Sequence, residues 1–279
     1  MGKTLYVSDL DGTLMQPGAY LSQKTIDMLN RSIADRKLFT IATARTPATV
    51  ADIIKDVNMN IPAIVFTGAA IWNPKTKHYS SVKYMNPDAV RNLIDTYHRM
   101  HFPIFHFTLE GDVVNIYHIG GKLNDLEETF VKERIKSPYK RFHLSDDGTE
   151  ISPDDISKTL IFYGMQPTEL ASAVHAEACE LKGCRHQYYH DLYGPEIGLI
   201  DAFAPDATKA KAVMEMKEQT GADRVVVFGD NLNDIPMLEV ADVAVAVENA
   251  LPEVKEVADI VIGPNTADSV AEFILNDRD

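Results

Sequence analysis

The sequence predicts an α/β protein in which a doubly wound, Rossmann-like parallel sheet is interrupted by an inserted α+β domain. Two observations predict this fold. At both ends of the chain, strand-like apolar runs alternate with segments of helical periodicity, which is the pattern of βαβ units around a parallel sheet. In the middle, strand-like runs follow one another directly, which predicts antiparallel pairing. We therefore expect a core made of residues 1–83 and 203–279 and an inserted domain made of residues 84–202.

The N-terminal segment is predicted to form two helices between three strands. The first strand is a short apolar run, and the first helix carries Ile26, Leu29 and Ile33 at the spacing of one helical face. In chain order, the predicted elements are strand 4–10, helix 22–34, strand 37–43, helix 47–57 and strand 61–67.

The middle segment is predicted to form an antiparallel sheet with helices on one face. Its clearest signal is a pair of apolar runs joined by the turn at residues 110–112, which predicts a hairpin. The predicted elements are helix 87–101, strands 103–109 and 113–119, helix 123–134, strand 159–164, helix 168–181, and strands 185–189 and 197–203.

The C-terminal segment returns to alternating strands and helices. Its β-branched run at residues 224–228 ends directly before Gly229, which is typical of a buried parallel strand followed by a tight turn. The other predicted elements are helices 209–219, 234–240, 251–257 and 267–275, and strands 243–247 and 260–262.

Composition excludes several classes of function. Acidic residues number 41 against 27 basic ones, and the formal net charge of −14 repels polyanions, so nucleic acid is not an expected partner. No apolar run approaches the length of a membrane span. The two cysteines, Cys179 and Cys184, would close only a short loop, so we expect reduced thiols. These features together predict a cytoplasmic protein. The sequence makes no prediction of oligomeric state.

The strongest chemical signal is the run Asp-Leu-Asp-Gly-Thr at residues 9–13, which follows the first predicted strand. Open α/β sheets place their sites at the carboxyl ends of parallel strands. There, one of the two carboxylates, Asp9 or Asp11, can attack phosphorus while the other donates a proton to the leaving oxygen and later accepts one from water. Gly12 permits a sharp turn, and Thr13 offers a hydroxyl and an amide to phosphate oxygens. The alternative interpretation of this run is an acidic turn.

Three further groups lie at predicted strand ends or at the helix start behind one. Thr43 suits a phosphoryl oxygen or a helix N-cap, and Arg45 suits a ligand or a surface ion pair. Lys209 would neutralise charge beside two carboxylates and a phosphate, although a lysine in a first helical turn is usually solvated. Residues 229–234 (Gly-Asp-Asn-Leu-Asn-Asp) suit a hard, oxygen-ligated cation such as Mg²⁺, or an acidic loop with a helix cap. The conjunction of four groups favours a phosphoryl-transfer site.

These motifs resemble those of the haloacid dehalogenase-like phosphatases, and the whole chain resembles the Cof-type subfamily, whose α+β cap is inserted in the core. The resemblance implies that Asp9 is the nucleophile, that Asp11 is the acid/base with its carbonyl on the metal, and that Lys209 neutralises charge. It implies Mg²⁺ as the cofactor, with Asp9, Asp11, Asp230 and Asp234 as metal residues. The residues implied to bind phosphate or substrate are Gly12, Thr13, Thr43, Arg45, Thr67, Gly68 and Asn233.

The sequence departs from the family pattern at three places. Thr67-Gly68 stands where Asn-Gly is usual, Ala210 replaces the glycine after the lysine, and Ser269 replaces the glycine of a late Asp-Gly pair. None of these changes removes a catalytic group. The cap is expected to close over the site and set specificity. Its candidate substrate contacts, each also interpretable as an ordinary packed or surface residue, are His106, His118, Tyr188, Tyr189, His190 and Tyr193.

Phosphatase activity on a small phosphorylated metabolite is therefore the leading hypothesis, and the family resemblance favours a sugar phosphate. Flavin, nucleotide and pyridoxal phosphates stay open. A phosphomutase would return the phosphoryl group to a second hydroxyl and release no phosphate. A non-catalytic phospho-ligand sensor would bind without turnover. An ion pump, which also phosphorylates an aspartate, does not fit a chain without membrane spans.

Overall fold

The computed structural model describes residues 2–145, 151–191 and 194–278. The chain divides into a core unit, Met1–Ser81 with Ala207–Asp279, and an inserted unit, Val82–Asp206. The sequence predicts the two junctions at 83/84 and 202/203, and in the structure they lie at 81/82 and 206/207. Tyr193 and the side chain of His190 lie outside the described residues. Within the described ranges, no helix combines the length and apolarity needed to cross a bilayer.

The first segment of the chain builds one half of the parallel sheet and a small antiparallel sheet. Helix α1 starts where the Ser22 hydroxyl accepts the N–H of Thr25, and α2 starts at a proline. The elements are β1 (Thr4–Ser8), α1 (Gln23–Ala34), β2 (Leu38–Ile41), α2 (Pro47–Ile54), β3 (Ala63–Val65), β4 (Ala70–Trp72) and β5 (Tyr79–Val82).

The inserted unit contributes four helices and six strands among the described residues. Its elements are α3 (Pro87–Arg99), β6 (Ile104–Glu110), β7 (Val113–Ile119), α4 (Asp125–Arg134), β8 (Lys140–His143), α5 (Pro153–Ser157), β9 (Thr159–Pro167), α6 (Thr168–Ala178), β10 (Arg185–Asp191) and β11 (Gly194–Phe203). Strands β4, β5 and β8 and helix α5 are absent from the sequence prediction, because they are short and lack a clear period.

The returning segment completes the core unit. Helix α7 starts where the Thr208 hydroxyl accepts the N–H of Lys211, and it ends at Gly221 in the left-handed conformation. The elements are α7 (Lys209–Thr220), β12 (Arg224–Gly229), α8 (Ile235–Leu238), β13 (Val243–Val247), α9 (Pro252–Val257), β14 (Ile260–Ile262) and α10 (Ser269–Asn276).

The core sheet is parallel and doubly wound, as the sequence predicts. Its strand order is β14-β13-β12-β1-β2, and a parallel bridge between Ala42 and Ile64 brings β3 beside β2. The chain therefore winds outward from β1 in one direction and from β12 in the other. A crevice at such a switch point, outside the carboxyl ends of the strands, is where open α/β sheets bind ligands.

The inserted unit has the strand order β10-β11-β9-β6-β7-β8, antiparallel except between β7 and β8. Its helices cover both faces, so the prediction of helices on one face is wrong. Tyr97 of α3 packs against Phe162, whereas Phe130 of α4 packs against Tyr163. Because successive strand residues point to opposite faces, α3 and α4 lie on opposite sides of the sheet.

Two of the candidate substrate contacts are packing residues of the inserted unit. His106 is fully buried, its Nε2 lies 2.7 Å from the Thr159 hydroxyl, and burial lowers its pKa to about 3. His118 is also buried, with Nε2 3.4 Å from the carboxylate of Glu127. Both side chains stabilise the interior of this unit, which is the alternative that the sequence analysis left open.

Candidate active site

The centre of the site is an ion pair between residues 200 positions apart in the chain. Asp9 directly follows β1, and its N–H continues the ladder by donating to the carbonyl of Phe228. Lys209 is the first residue of α7, and its Nζ lies 2.5 Å from Oδ1 of Asp9. Both side chains are buried, Asp9 to 6% exposure and Lys209 to 3%. The structure thus places an ammonium group against the predicted nucleophile.

The loop after β12 supplies two more carboxylates. Asp234 is fully buried, and its Oδ1 accepts Nζ of Lys209 at 2.7 Å. Its Oδ2 accepts the backbone N–H groups of Asp230 and Asn231, each at 3.1 Å. Asp230 is held from the other side, because the Thr13 hydroxyl donates to its Oδ1 at 2.6 Å. Asp9, Asp230 and Asp234 therefore converge, with one oxygen of each within 4.8 Å of the others.

Burial and mutual repulsion govern the charges of this cluster. Burial raises the pKa of Asp9 to about 8, with the charges of Asp234 and Asp230 acting in the same direction and Lys209 opposing them. Burial likewise raises the pKa of Asp230 to about 6, with the charge of Asp234 adding to it and the Thr13 hydrogen bond opposing it. Although burial disfavours the Lys209 ammonium, Asp9 and Asp234 hold its pKa above the ordinary value.

The donor set suits a divalent cation. Three clustered carboxylates face one ammonium group, so the cluster gains from additional positive charge. Carboxylate oxygens are the ligands that Mg²⁺ prefers, and a bound cation lowers the pKa of carboxylates beside it. The residues that fit a metal ion are therefore Asp9, Asp230 and Asp234.

Two glycines make room for these carboxylates. A Cβ atom at Gly12 would lie 2.3 Å from Oδ2 of Asp230, and one at Gly229 would lie 2.6 Å from Cβ of Asp234. Gly12 also has a φ of +77°, which side-chain-bearing residues rarely adopt. The glycine of the first motif is therefore required for the approach of Asp230 as well as for the turn.

The loops after β2 and β3 are joined through their backbones. Thr43 donates its N–H to the Ile64 carbonyl and accepts the N–H of Thr67 on its own carbonyl, both at 3.0 Å. Its hydroxyl accepts the N–H of Arg45 at 3.1 Å. The N-cap residue of α2 is Thr46, so the interpretation of Thr43 as a helix N-cap is wrong. Phe66, Thr67 and Gly68 then follow one another with φ of +52°, +57° and +96°. Such a left-handed run is strained and is typical of functional sites.

This left-handed run brings Gly68 against the start of α7. A Cβ atom at Gly68 would lie 2.3 Å from the carbonyl oxygen of Thr208 and 2.8 Å from the nitrogen of Lys209. Gly68 was predicted to bind phosphate or substrate, and in the structure its direct neighbour is the backbone that carries Lys209. Gly68 therefore determines how closely the loop after β3 approaches the backbone of Lys209.

We expect the substitution Gly68→Ala to destabilise the core unit by about 3 kcal/mol, because it adds both a backbone clash and left-handed strain. Gly221→Ala is the matched control: its φ is +62°, but its Cβ would meet open space, so we expect a cost of about 1 kcal/mol. Urea unfolding of both variants measures the difference. Equal losses would show that the approach to Thr208 is not limiting.

Arg45 lies against Asp11 in the structure. Its Nε and Nη2 atoms donate to the two carboxylate oxygens of Asp11 at 2.7 and 2.6 Å. The Asp11 side chain is 54% exposed, so the pair is open to solvent. Of the other predicted residues, Asn233 is exposed beside the buried Asp234.

Sequence reasoning missed two asparagines that touch the first loop. Asn249, which follows β13, donates from Nδ2 to the carbonyl of Gly12 at 2.8 Å. Asn265, which follows β14, donates from Nδ2 to the carbonyl of Met15 at 2.8 Å. Neither belongs to an acidic motif. Their position at the carboxyl ends of predicted parallel strands is the signal that would have identified them.

Comparison with known proteins agrees with the motif resemblance. A family model for haloacid dehalogenase-like hydrolases matches residues 6–274. The chain is 23% identical over 286 residues to the 5-amino-6-(5-phospho-D-ribitylamino)uracil phosphatase YitU of Bacillus subtilis (strain 168), covering 97% of this chain and 96% of that protein. It is 27% identical over 274 residues to the pyridoxal phosphate phosphatase YbhA of Escherichia coli (strain K12), covering 96% of both chains.

A solved structure confirms the predicted architecture. The solved structure of BT4131, a sugar phosphatase of subclass IIB of this superfamily, superimposes with a TM-score of 0.70 at 21% sequence identity, covering 97% of this chain and 96% of the other. At this identity the likeness shows the fold alone. The match over nearly the full length of both chains confirms a parallel α/β core with an inserted α+β region.

Proposed function

The chain belongs to the haloacid dehalogenase-like hydrolase family and is a phosphatase, and from that premise we propose that it hydrolyses a small phosphorylated metabolite through an acyl phosphate of Asp9. The observation that carries this proposal is the buried contact of Asp9 with Lys209 beside Asp230 and Asp234. A carboxylate held in that environment has a fixed direction of attack and a cation beside it. Both features favour attack on a phosphorus atom.

The proposed first step transfers the phosphoryl group to the enzyme. An oxygen of Asp9 forms a bond to phosphorus while the bond between phosphorus and the leaving alkoxide breaks. Asp11, in its protonated form, gives its proton to the leaving oxygen. Water then attacks the acyl phosphate and gives a proton to Asp11, which releases inorganic phosphate and restores Asp9. The one carboxyl group thus serves both half-reactions.

The ion pair with Arg45 bears on the role of Asp11. Arg45 donates to both carboxylate oxygens of Asp11, so this contact occupies the two atoms from which Asp11 would reach a leaving oxygen. We propose that Arg45 releases at least one oxygen of Asp11 when substrate binds, and that its guanidinium then faces the phosphate. This sequence of contacts would make both interpretations of Arg45 correct at different stages.

We propose Mg²⁺ as the cofactor, held by Asp9, Asp230 and Asp234, with the Asp11 carbonyl added on the family resemblance. When bound, it supplies positive charge that offsets the repulsion between the carboxylates and a phosphate dianion. Lys209, at the start of α7, supplies a second positive charge, and the hydrogen bond to Asp234 holds that lysine in place. We further propose that the phosphate oxygens are bound by residues that follow β1, β2, β3 and β12, namely Gly12, Thr13, Thr43, Thr67, Gly68 and Asn233.

The relatives guide the choice of substrate class. Those named above are phosphatases of a ribityl-pyrimidine phosphate and of pyridoxal phosphate, and the solved structure is that of a sugar phosphatase. We propose a phosphate ester of comparable size, with a sugar phosphate favoured, and we assign its selection to the inserted unit. Cys179 and Cys184 are free thiols in the structure, in keeping with our proposal of a cytoplasmic location.

The test measures phosphate release from p-nitrophenyl phosphate and a panel of phosphorylated metabolites, with Mg²⁺ and with excess EDTA. We expect release that EDTA abolishes and added Mg²⁺ restores. As a readout independent of activity, Mg²⁺ should raise the melting temperature of the wild-type protein and raise that of Asp230→Asn much less. Conversion of the panel without release of phosphate would instead indicate a phosphomutase, and binding without turnover would indicate a sensor.

A further inference from the structure

Asn249 connects the loop after β13 to the loop that carries the two catalytic aspartates. Its Nδ2 donates to the carbonyl of Gly12 at 2.8 Å, and its Oδ1 accepts the backbone N–H of Asn265 at 2.9 Å. Both functional atoms of this side chain are therefore used, although the residue itself is exposed. An exposed asparagine that joins two backbone segments is oriented in a single way, because its donor and acceptor cannot be exchanged.

The second half of this connection is made by Asn265. Its Nδ2 donates to the carbonyl of Met15 at 2.8 Å, and its backbone carbonyl accepts a hydrogen bond from Nε2 of Gln16 at 3.1 Å. The same Gln16 nitrogen also donates to Oδ1 of Asp268 at 3.0 Å. The two asparagines thus hold the loop at both ends, Asn249 at Gly12 and Asn265 at Met15.

The loop after β13 is also connected to the metal-binding side of the site. The N–H of Leu251 donates to the carbonyl of Asp230 at 3.0 Å. Asn249 lies two residues before this contact, so the segment bridges the Asp230 loop and the Gly12 loop. Movement of either loop relative to the other would have to break one of these bonds.

The bond to Gly12 acts on the neighbour of Asp11. Gly12 has a left-handed φ of +77°, and a glycine loses more conformational freedom on being fixed than any other residue. The side chain of Asp11 is 54% exposed, and both of its carboxylate oxygens accept the guanidinium of Arg45, whose side chain is 27% exposed. The orientation of its carboxyl group therefore depends strongly on the backbone that follows it.

We propose that Asn249 is a positioning residue that fixes the Gly12 carbonyl and thereby aims the carboxyl group of Asp11 at the leaving oxygen of the substrate. The inference rests on the function proposed above, and it adds a residue outside the four motifs. It predicts a specific defect. Loss of the Asn249 donor impairs proton donation to the leaving group and leaves the attack by Asp9 largely intact.

The experiment compares two substrates that differ in their need for that proton. p-Nitrophenol leaves as its anion without help, whereas an alkyl phosphate requires protonation of the departing oxygen. The quantity measured is kcat/KM, which reports the steps up to departure of the leaving group. For Asn249→Ala we expect kcat/KM to fall by about 30-fold with an alkyl phosphate and by less than about 3-fold with p-nitrophenyl phosphate. Asn249→Asp, which keeps the acceptor and loses the donor, should show the same selective loss.

Asn30 provides a matched control in the same unit. It also joins two backbone groups, donating to the Asp56 carbonyl at 2.9 Å and accepting the N–H of Asn58 at 2.7 Å. Asn30 itself lies on α1, and the two groups that it contacts lie in the segment between α2 and β3, not in the loops after β1 and β13. Asn30→Ala should change kcat/KM for both substrates equally or not at all. An equal loss on both substrates in Asn249→Ala, or no loss, would overturn the inference. Absence of phosphate release by the wild-type protein would overturn the proposed function itself, and the inference with it.

Discussion

Replacing Asp9 with asparagine lowers phosphate release by at least about 10⁴-fold, because an amide is a far poorer nucleophile than a carboxylate. The side chain keeps its volume and keeps an oxygen that can accept Nζ of Lys209, with which Asp9 forms a 2.5 Å contact. The protein should therefore remain folded. Initial rates with Mg²⁺ and a circular dichroism spectrum of the same preparation measure the two quantities.

The control for this substitution is Asp52→Asn, which makes the same chemical change on an exposed residue of α2. It should leave the rate unchanged. A second check uses trapping: rapid acid quenching of the wild-type enzyme with labelled substrate should leave label on the protein, and Asp9→Asn should retain none. Activity of Asp9→Asn near that of the wild type would exclude Asp9 as the nucleophile.

Replacing Lys209 with methionine should affect both activity and stability. The change removes the ammonium group that Asp9 and Asp234 share. Loss of one charged group that stabilises developing charge lowers the rate by about 10³-fold. Breaking a buried ion pair by removing one partner costs about 3 kcal/mol, because the other charge stays buried. Urea unfolding and initial rates measure these effects.

The stability loss in Lys209→Met should depend on pH. Lys209 lowers the pKa of Asp9, which burial otherwise raises, so without the lysine the folded-state pKa of Asp9 rises further. A raised folded pKa of an acid means that stability is kept at low pH, where the carboxyl group is protonated, and is lost as the pH rises. In the wild type this pKa is about 8, so the additional loss in the variant appears only above that pH. We expect a smaller loss at pH 7 than at pH 9.5. Lys211→Met, an exposed position on the same helix, should show neither effect, and a loss independent of pH would contradict the charge argument.

Much of the fold follows from local sequence. The bounds of β7, β13 and β14 agree with the prediction to the residue, since each is a short apolar run with turn residues or charged residues at its ends. The prediction of a site at the ends of β1 and β12 also follows from sequence, because the carboxyl ends of parallel strands share one edge of the sheet. Position along the chain thus indicated that Asp9 and Asp230 would lie close together.

The contacts that could not be predicted from the sequence join segments that lie far apart along the chain. Nothing in the segment around Gly68 indicates that Thr208 will lie 2.3 Å from where its Cβ would be. The hydrogen bond from Thr13 to Asp230 and the bond from Asn249 to Gly12 likewise join separate segments through side chains of ordinary loop type. Such contacts are set by how strands are ordered in the sheet, and strand order carries no local periodicity.

The position of β1 in the sheet also has a consequence for synthesis of the protein. Every residue of β1 is buried, and Thr4 pairs with Arg224, a partner about 220 residues later. At the usual speed of translation, ~5–20 residues per second, roughly 10–45 s pass before β12 leaves the ribosome. Throughout that interval one edge of β1 lacks its β12 partner, and by the end of it the whole of the inserted unit has been made. A nascent chain therefore carries Asp9, the proposed nucleophile, for about 200 residues of synthesis before Lys209 and the acidic loop after β12 are made.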